Sequence, residues 1–208
     1  VEVNALWING LAAIEELLTR VGQDATDVAA AEAKARASFA GRFRSPGRGG
    51  LADVVDGPLG DDWSVRPNQL LAASLPHGPL VDASVVTACG PLVTSLGMRS
   101  LAPTDPRYHS HHRGGPAERD EAYHQGTVWP WLMGPFVEAW VRVRGSTTEA
   151  KELARAKFLK PMLASLESSG LGHISEIADG EPPHHPRGCP FQAWSLAEAL
   201  RLCELVLL

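Results

Sequence analysis

Val3-Asn4-Ala5-Leu6-Trp7-Ile8-Asn9-Gly10-Leu11-Ala12-Ala13-Ile14-Glu15-Glu16-Leu17-Leu18-Thr19-Arg20-Val21 decides the fold class. Leu6, Trp7, Leu11, Ile14, Leu17, Leu18 and Val21 recur at the spacing of one face of a helix. Downstream, residues 24–43 are Ala-rich behind Asp24, an N-cap residue, and predict a second helix. Residues 45–50 break it with Pro and Gly, and residues 51–55 make a brief extended piece before Asp56-Gly57. Arg66-Pro67-Asn68-Gln69 opens a third helix that Pro76 stops. A fourth spans 81–96, with Asp82 near its start, Gly97 as C-cap, and a kink or split at Gly90-Pro91. Residues 100–123 read as one long irregular loop, a length that tends to be functional in a compact domain. Helices follow at 127–143, 147–168 and 190–206. The reading is all-α, about seven helices in a single domain over 1–208, with the chemistry-prone residues in the connections.

Bulk properties exclude several function classes. The chain has 208 residues, 44% hydrophobic and 21% charged, an ordinary globular balance with room for a real core. A net charge of −5 argues against a nucleic-acid surface, which needs clustered Lys and Arg. Arg42, Arg44 and Arg48 lie among glycines and read as a solvated helix end and loop. Three cysteines, Cys89, Cys189 and Cys203, form no framework and suit a reducing cytosol, so a cytoplasmic location is expected. No 18-residue apolar run exists to span a membrane, and no signal peptide is visible. The chain opens at Val1, without Met and already inside an apolar-periodic pattern, which reads as a chain cut from something longer.

Two stretches carry chemistry. Tyr123-His124-Gln125-Gly126-Thr127-Val128-Trp129-Pro130-Trp131 packs indoles, a phenol, an imidazole and an amide where a helix is expected to begin. Ile174-Ser175-Glu176-Ile177-Ala178-Asp179-Gly180 puts two carboxylates three apart in a loop flanked by Gly170, Gly172, Pro182 and Pro183. Indole faces cover sugar rings, amides and carboxylates bind hydroxyls, and carboxylates cleave glycosidic bonds. Glu176 and Asp179 fit a base and a substrate clamp; an exposed acidic turn is the plainer alternative. Most helical Trp residues are core, and Trp140 reads so, whereas Trp129, beside Gln125 and Thr127, is the better sugar platform. Asn68 and Gln69 either face a ligand or cap their helix. Glu2 and Asn4 lie on the first helical turn, where solvent is the default. His109-Ser110-His111-His112 point in different directions, so no metal is expected.

Taken in order, Glu2-Val3-Asn4-Ala5-Leu6-Trp7, Asp53-Val54-Val55-Asp56-Gly57, Arg66-Pro67-Asn68-Gln69, Ser100-Leu101-Ala102-Pro103, the 123–131 block, Ser175-Glu176-Ile177, Pro186-Arg187-Gly188-Cys189 and Gln192-Ala193-Trp194-Ser195 resemble the C-terminal, amylo-α-1,6-glucosidase region of bacterial and archaeal glycogen-debranching enzymes. The 123–131 block is the most specific of these. The resemblance implies part of an (α/α)6 toroid, similar to glucoamylase and trehalase, with the site at one end of the inner ring. It implies inverting hydrolysis of α-1,6-linked glucose in glycogen or limit dextrin, without a cofactor. Glu176 matches the base and Asp179 is the reserve. Glu2, Asn4, Trp7, Asn68, Gln69, Tyr123, His124, Gln125, Trp129, Gln192 and Trp194 become the candidate glucan contacts. The family's acid, in a Trp-Met-Asp-Ala-type motif, has no counterpart in the 208 residues. An incomplete ring is then expected to expose Leu6, Leu200, Leu202, Val206 and Leu207. Rival readings are another toroid enzyme, a trehalase-like hydrolase or an isomerase, and a non-catalytic carbohydrate-binding module.

Overall fold

The computed structural model describes residues 1–44, 47–168 and 170–208. Ser45 and Pro46, the start of the expected breaker, lie outside the described residues. The chain is mostly helical, with short strands, and packs as two compact units, Val1–Trp63 with Asn68–Ala88, and Ser64–Pro67 with Cys89–Leu208. Among the described residues no helix is long and apolar enough to cross a membrane.

The first unit is built on α1 (Glu2–Arg20) and α2 (Thr26–Phe43). Both form where periodicity places them. Asp24 sits two residues before the first turn of α2, and its Oδ1 accepts from the Thr26 N–H at 2.9 Å. The buried face of α1 differs from the expected one. Ala5, Ile8 and Leu11 are buried, while Leu6, Trp7, Ile14, Leu17 and Val21 are exposed. The side chains at positions 5 and 8 join Phe39 and Phe43 of α2 in one cluster with Leu51, Ala52, Ala72 and Val85. Ala5 lets the helices approach closely, and each large side chain in the cluster contributes about 1.5–3 kcal/mol of burial. β1 (Val54–Gly57) and β2 (Gly60–Asp62) form an antiparallel hairpin. The expected third helix is a 3₁₀ turn, Pro67–Leu70, running into a short α3 (Leu71–Ser74), followed by α4 (Ala83–Ala88).

In the second unit, Gly90-Pro91 does split the expected fourth helix. A 3₁₀ turn, Gly90–Leu92, follows, and the chain then extends into β3 (Met98–Arg99). Gly97 is no helix cap. A Cβ there would lie 2.5 Å from the Trp129 carbonyl, so glycine permits a close strand approach. The long loop contains α5 (Pro116–Ala122), opened by Pro116 and by Glu118, whose Oε2 accepts from the Gly115 N–H at 2.6 Å. The fifth helix starts later than expected. Val128 and Trp129 form β4, Pro130 opens a 3₁₀ turn, and α6 runs Met133–Arg142. A β-branched and an aromatic residue suit a strand, and Pro130 then serves as a helix-entry residue. α7 (Thr148–Ala154), capped by the Thr147 hydroxyl on the Ala150 N–H, passes through a π turn at Arg155–Leu159 into α8 (Lys160–Ser168). β5 (Ile177–Ala178), β6 (Pro186–Arg187) and α9 (Ala193–Arg201) complete the unit.

The strands of this unit form one antiparallel sheet in the order β3-β4-β5-β6, with Val128 opposite both Arg99 and Ala178, and Ile177 opposite Arg187. That sheet positions the site, because it fastens the 174–180 loop to the 123–131 block. α6 is apolar almost all round and buries Phe136 and Trp140 against Phe158. Trp140 is core, as expected, with the Arg144 guanidinium 3.7 Å above its ring. Of the residues expected to be exposed, Leu6 and Leu200 are exposed and Val206 is half-buried, whereas Leu202 and Leu207 are buried. Leu202 and Leu207 fold back because the chain after α9 continues through a π turn, Leu202–Val206, and the Leu207 carbonyl accepts from Arg155.

Candidate active site

Glu176 sits immediately before β5, half-buried. Its backbone N–H donates to the Cys189 carbonyl at 2.8 Å, and the Gln192 N–H donates to the Ile174 carbonyl at 2.9 Å, so the loop is zipped to residues 189–192. The carboxylate then meets three donors. The Tyr123 hydroxyl donates to Oε1 at 2.7 Å, Gln192 Nε2 donates to Oε1 at 3.3 Å, and the Cys189 N–H donates to Oε2 at 3.1 Å. Gly188 has φ +65°, and a Cβ there would lie 2.4 Å from Oε2. Glycine is required twice over, by the left-handed backbone and by the approaching carboxylate.

Tyr123 terminates α5, and its carbonyl accepts from Trp129 Nε1 at 3.2 Å. Burial, and then its bond to Glu176, push its phenol up to about 12. Around it the aromatic rings interlock. Tyr123 packs edge-on to Trp129 at 4.9 Å, and His124 stacks on Trp129 at 5.2 Å. Trp194 meets the edge of Trp129 at 6.0 Å and stacks on Trp131 at 5.4 Å. Trp129 is only 4% exposed. The expected sugar platform is therefore corrected: its indole is a structural wedge, closed off because β4 buries it and His124 covers a face. Trp194, 47% exposed, has open indole surface instead.

The other candidates divide by their partners. Gln125 Oε1 accepts from Arg66 Nη2 at 2.7 Å, and Arg66 also donates to the His124 carbonyl at 2.7 Å, so Gln125 is committed to holding the block. Burial, with Arg66 nearby, holds the His124 imidazole below its ordinary value. In the first unit, Asn68 donates to Asp53 Oδ1 at 2.9 Å. Gln69, 3% exposed, accepts from the Leu51 N–H at 3.0 Å. These two amides tie their turn to residues 51–53, and neither caps the short α3. Trp7 and Asn4 are exposed and Glu2 is half-buried.

Asp179 is corrected as a reserve base. Its side chain is fully buried, and both oxygens are taken. Arg187 reaches them at 3.1 and 2.9 Å, the His112 N–H at 2.9 Å and Arg113 at 3.3 Å. Burial alone would raise its carboxyl; the Arg187 pair and the His112 N–H overcome that and lower it. A carboxylate so enclosed fastens the 108–113 loop to β6 and has no lone pair left for a substrate proton. His111 Nδ1 lies 3.6 Å from Asp179, His109 turns to Glu121 at 3.7 Å, and the His112 ring lies against Tyr123 at 5.8 Å, so the three histidines diverge.

A cleft of about 600 Å³ is lined by His112, Arg113, Gly114, Arg119, Pro186, Arg187 and Gly188, the last of which packs against the Glu176 carboxylate. Sequence reasoning did not single out Gly188, Arg113, Arg119 or Arg187. Pro186-Arg187-Gly188-Cys189 stood out only as a motif, because the partners of these residues lie far away in the chain.

The family described as Amylo-alpha-1,6-glucosidase matches residues 1–201. A curated relative, the glycogen debranching enzyme of Saccharomyces cerevisiae, is 26% identical over 168 residues, covering 68% of this chain and 11% of the yeast protein. A solved structure, an uncharacterized conserved protein from Thermus thermophilus, superposes with a TM-score of 0.65 at 20% identity over 97% of this chain and 45% of its own, a likeness of fold alone. The chain thus spans less than half the length of either protein. With the family match extending over nearly all its length, the chain belongs to the amylo-α-1,6-glucosidase family.

Proposed function

We propose that this chain carries the base-bearing part of an inverting α-1,6-glucosidase that releases the glucose left at branch points of glycogen or limit dextrin. The observation that carries the reading is the seat of Glu176: a half-buried carboxylate aimed by Tyr123, Gln192 and the Cys189 N–H. Three donors fix its orientation while its partial exposure leaves room for water. Glu176 takes a proton from that water as it attacks the anomeric carbon from the face opposite the departing oxygen. Inversion needs a second carboxyl about 6.5–9.5 Å away to protonate the leaving oxygen. Asp179 is locked to arginines, so the acid comes from the portion of the longer relatives that this chain does not span. The helices belong, in this reading, to an (α/α)6 ring, and the protein works in the cytoplasm on a neutral polymer. Within the second unit, Trp194 is the open indole offered to glucan.

Glu176→Gln tests it in the protein bearing the whole glucosidase region. Turnover on branched limit dextrin is expected to fall at least about a hundredfold, the usual worth of a general base, with dextrin affinity largely kept. Unchanged turnover would reject Glu176 as base. Glucose release from trehalose but not from limit dextrin would favour a trehalase-like hydrolase. Intact binding with no hydrolysis of any sugar by the unsubstituted protein would favour a binding module.

A further inference from the structure

We propose that the cleft lined by His112, Arg113, Arg119 and Arg187 binds a small oxyanion of the phosphate class. Three guanidinium groups converge on about 600 Å³ of open space in a chain whose net charge is −5. Arg113 and Arg187 share one carboxylate, that of Asp179. Its side chain is fully buried, whereas those of Arg113 and Arg187 are 55% and 31% exposed. An entering ligand therefore meets the cations, with the compensating anion hidden behind them. Arg119 is exposed and has no ion pair among the described residues. Glu176, across Gly188, turns its oxygens to Tyr123, Gln192 and the Cys189 N–H. The His112 imidazole, held below its ordinary value by burial and by Arg119, adds a hydrogen-bonding group without a fixed charge.

Guanidinium forks match tetrahedral oxyanions, donating two parallel N–H bonds to two oxygens. Clustered guanidinium groups in a concave site raise the local concentration of counter-ions further. Pairing with Asp179 also fixes the directions of Arg113 and Arg187, so little freedom remains to be lost on binding. Arg119 supplies a guanidinium that no carboxylate among the described residues holds in an ion pair. The cleft is large enough for a phosphate carrying a sugar, and inorganic phosphate and a sugar phosphate share the recognised group.

The proposal stands apart from the role of Glu176, because anion affinity is measured on this chain without glucan. Inorganic phosphate and glucose 6-phosphate are titrated calorimetrically at constant ionic strength in chloride, on the unsubstituted chain and on Arg119→Ala. The expected result is saturable binding that weakens about tenfold or more in Arg119→Ala, as befits loss of a charge-assisted contact. Circular dichroism checks that the exposed substitution leaves the fold intact. Glucose 6-phosphate binding tighter than inorganic phosphate identifies an ester as the ligand; equal affinity identifies the free ion. Binding no stronger than chloride, or an affinity unchanged in both Arg119→Ala and Arg113→Ala, overturns the proposal.

Discussion

The Tyr123 hydroxyl donates to Oε1 of Glu176 at 2.7 Å across 53 positions of sequence. This bond joins the aromatic block to the carboxylate loop, and the aim of Glu176 depends on it. Tyr123→Phe removes the donor while keeping the ring that packs on Trp129. In the protein bearing the whole region, kcat is expected to fall about tenfold with KM for limit dextrin little changed, the pattern of a positioning residue. Equal losses in binding and turnover would place Tyr123 on the substrate instead.

The chain has only two tyrosines, and both phenols are raised to about 12, Tyr108 by burial and then its bond to Glu181, Tyr123 by burial and then its bond to Glu176. Unfolded tyrosines ionise near ~10. Between those values the unfolded chain has released protons that the folded chain keeps, so stability falls as pH rises from 10 to 12 and is fully present below that window. Tyrosinate absorbance of the native protein is expected to show no step near pH 10. A step there would mean that at least one of the two phenols is not buried and hydrogen-bonded in solution.

Gly188→Ala brings a Cβ to 2.4 Å from Glu176 Oε2 at a φ of +65°. The left-handed backbone alone costs about 1–2 kcal/mol. The carboxylate must also move, so turnover is expected to drop more steeply than melting temperature. Paired melting curves and glucose-release assays check this.

Trp129→Ala truncates a side chain only 4% exposed and removes the ring on which His124 and Tyr123 pack. A loss of roughly 3–5 kcal/mol of stability is expected, the range for large aromatic truncations. Denaturant titration measures it. A near-native stability with weakened dextrin binding would restore the platform role.

Asp179→Asn keeps the shape but leaves Arg187 and Arg113 without their carboxylate. Losing the charge-assisted hydrogen bonds from these partly exposed arginines costs about 1.5–3 kcal/mol. The lowered carboxyl of Asp179 contributes stability above its unfolded value and loses it as pH falls through the folded value. Acid unfolding of the unsubstituted chain is therefore expected to steepen below pH ~4, and Asp179→Asn flattens that limb while lowering the plateau. Identical acid limbs in both proteins would show that Asp179 does not carry the linkage.

What the sequence by itself determined is local. Helical periodicity and capping are written within a few residues of each other, so α1, α2, and α7 with α8 are legible at Leu11, Asp24 and Thr147. The density of ring and amide groups at 123–131 and the two carboxylates of the 174–180 loop stood out for the same reason. Only the tertiary structure decided which face of α1 is buried, because small Ala5 packs on Phe39 and the larger Leu6 and Trp7 do not. It alone decided that Val128-Trp129 and Ile177-Ala178 are strands, since two residues carry no period and their partners lie far along the chain. It also separated two carboxylates that look alike in sequence: Asp179, neutralised by arginines at 113 and 187, and Glu176, aimed by a phenol at 123. Spacing places both acids in one loop, but the groups that surround each arrive from distant segments, and only folding brings them there.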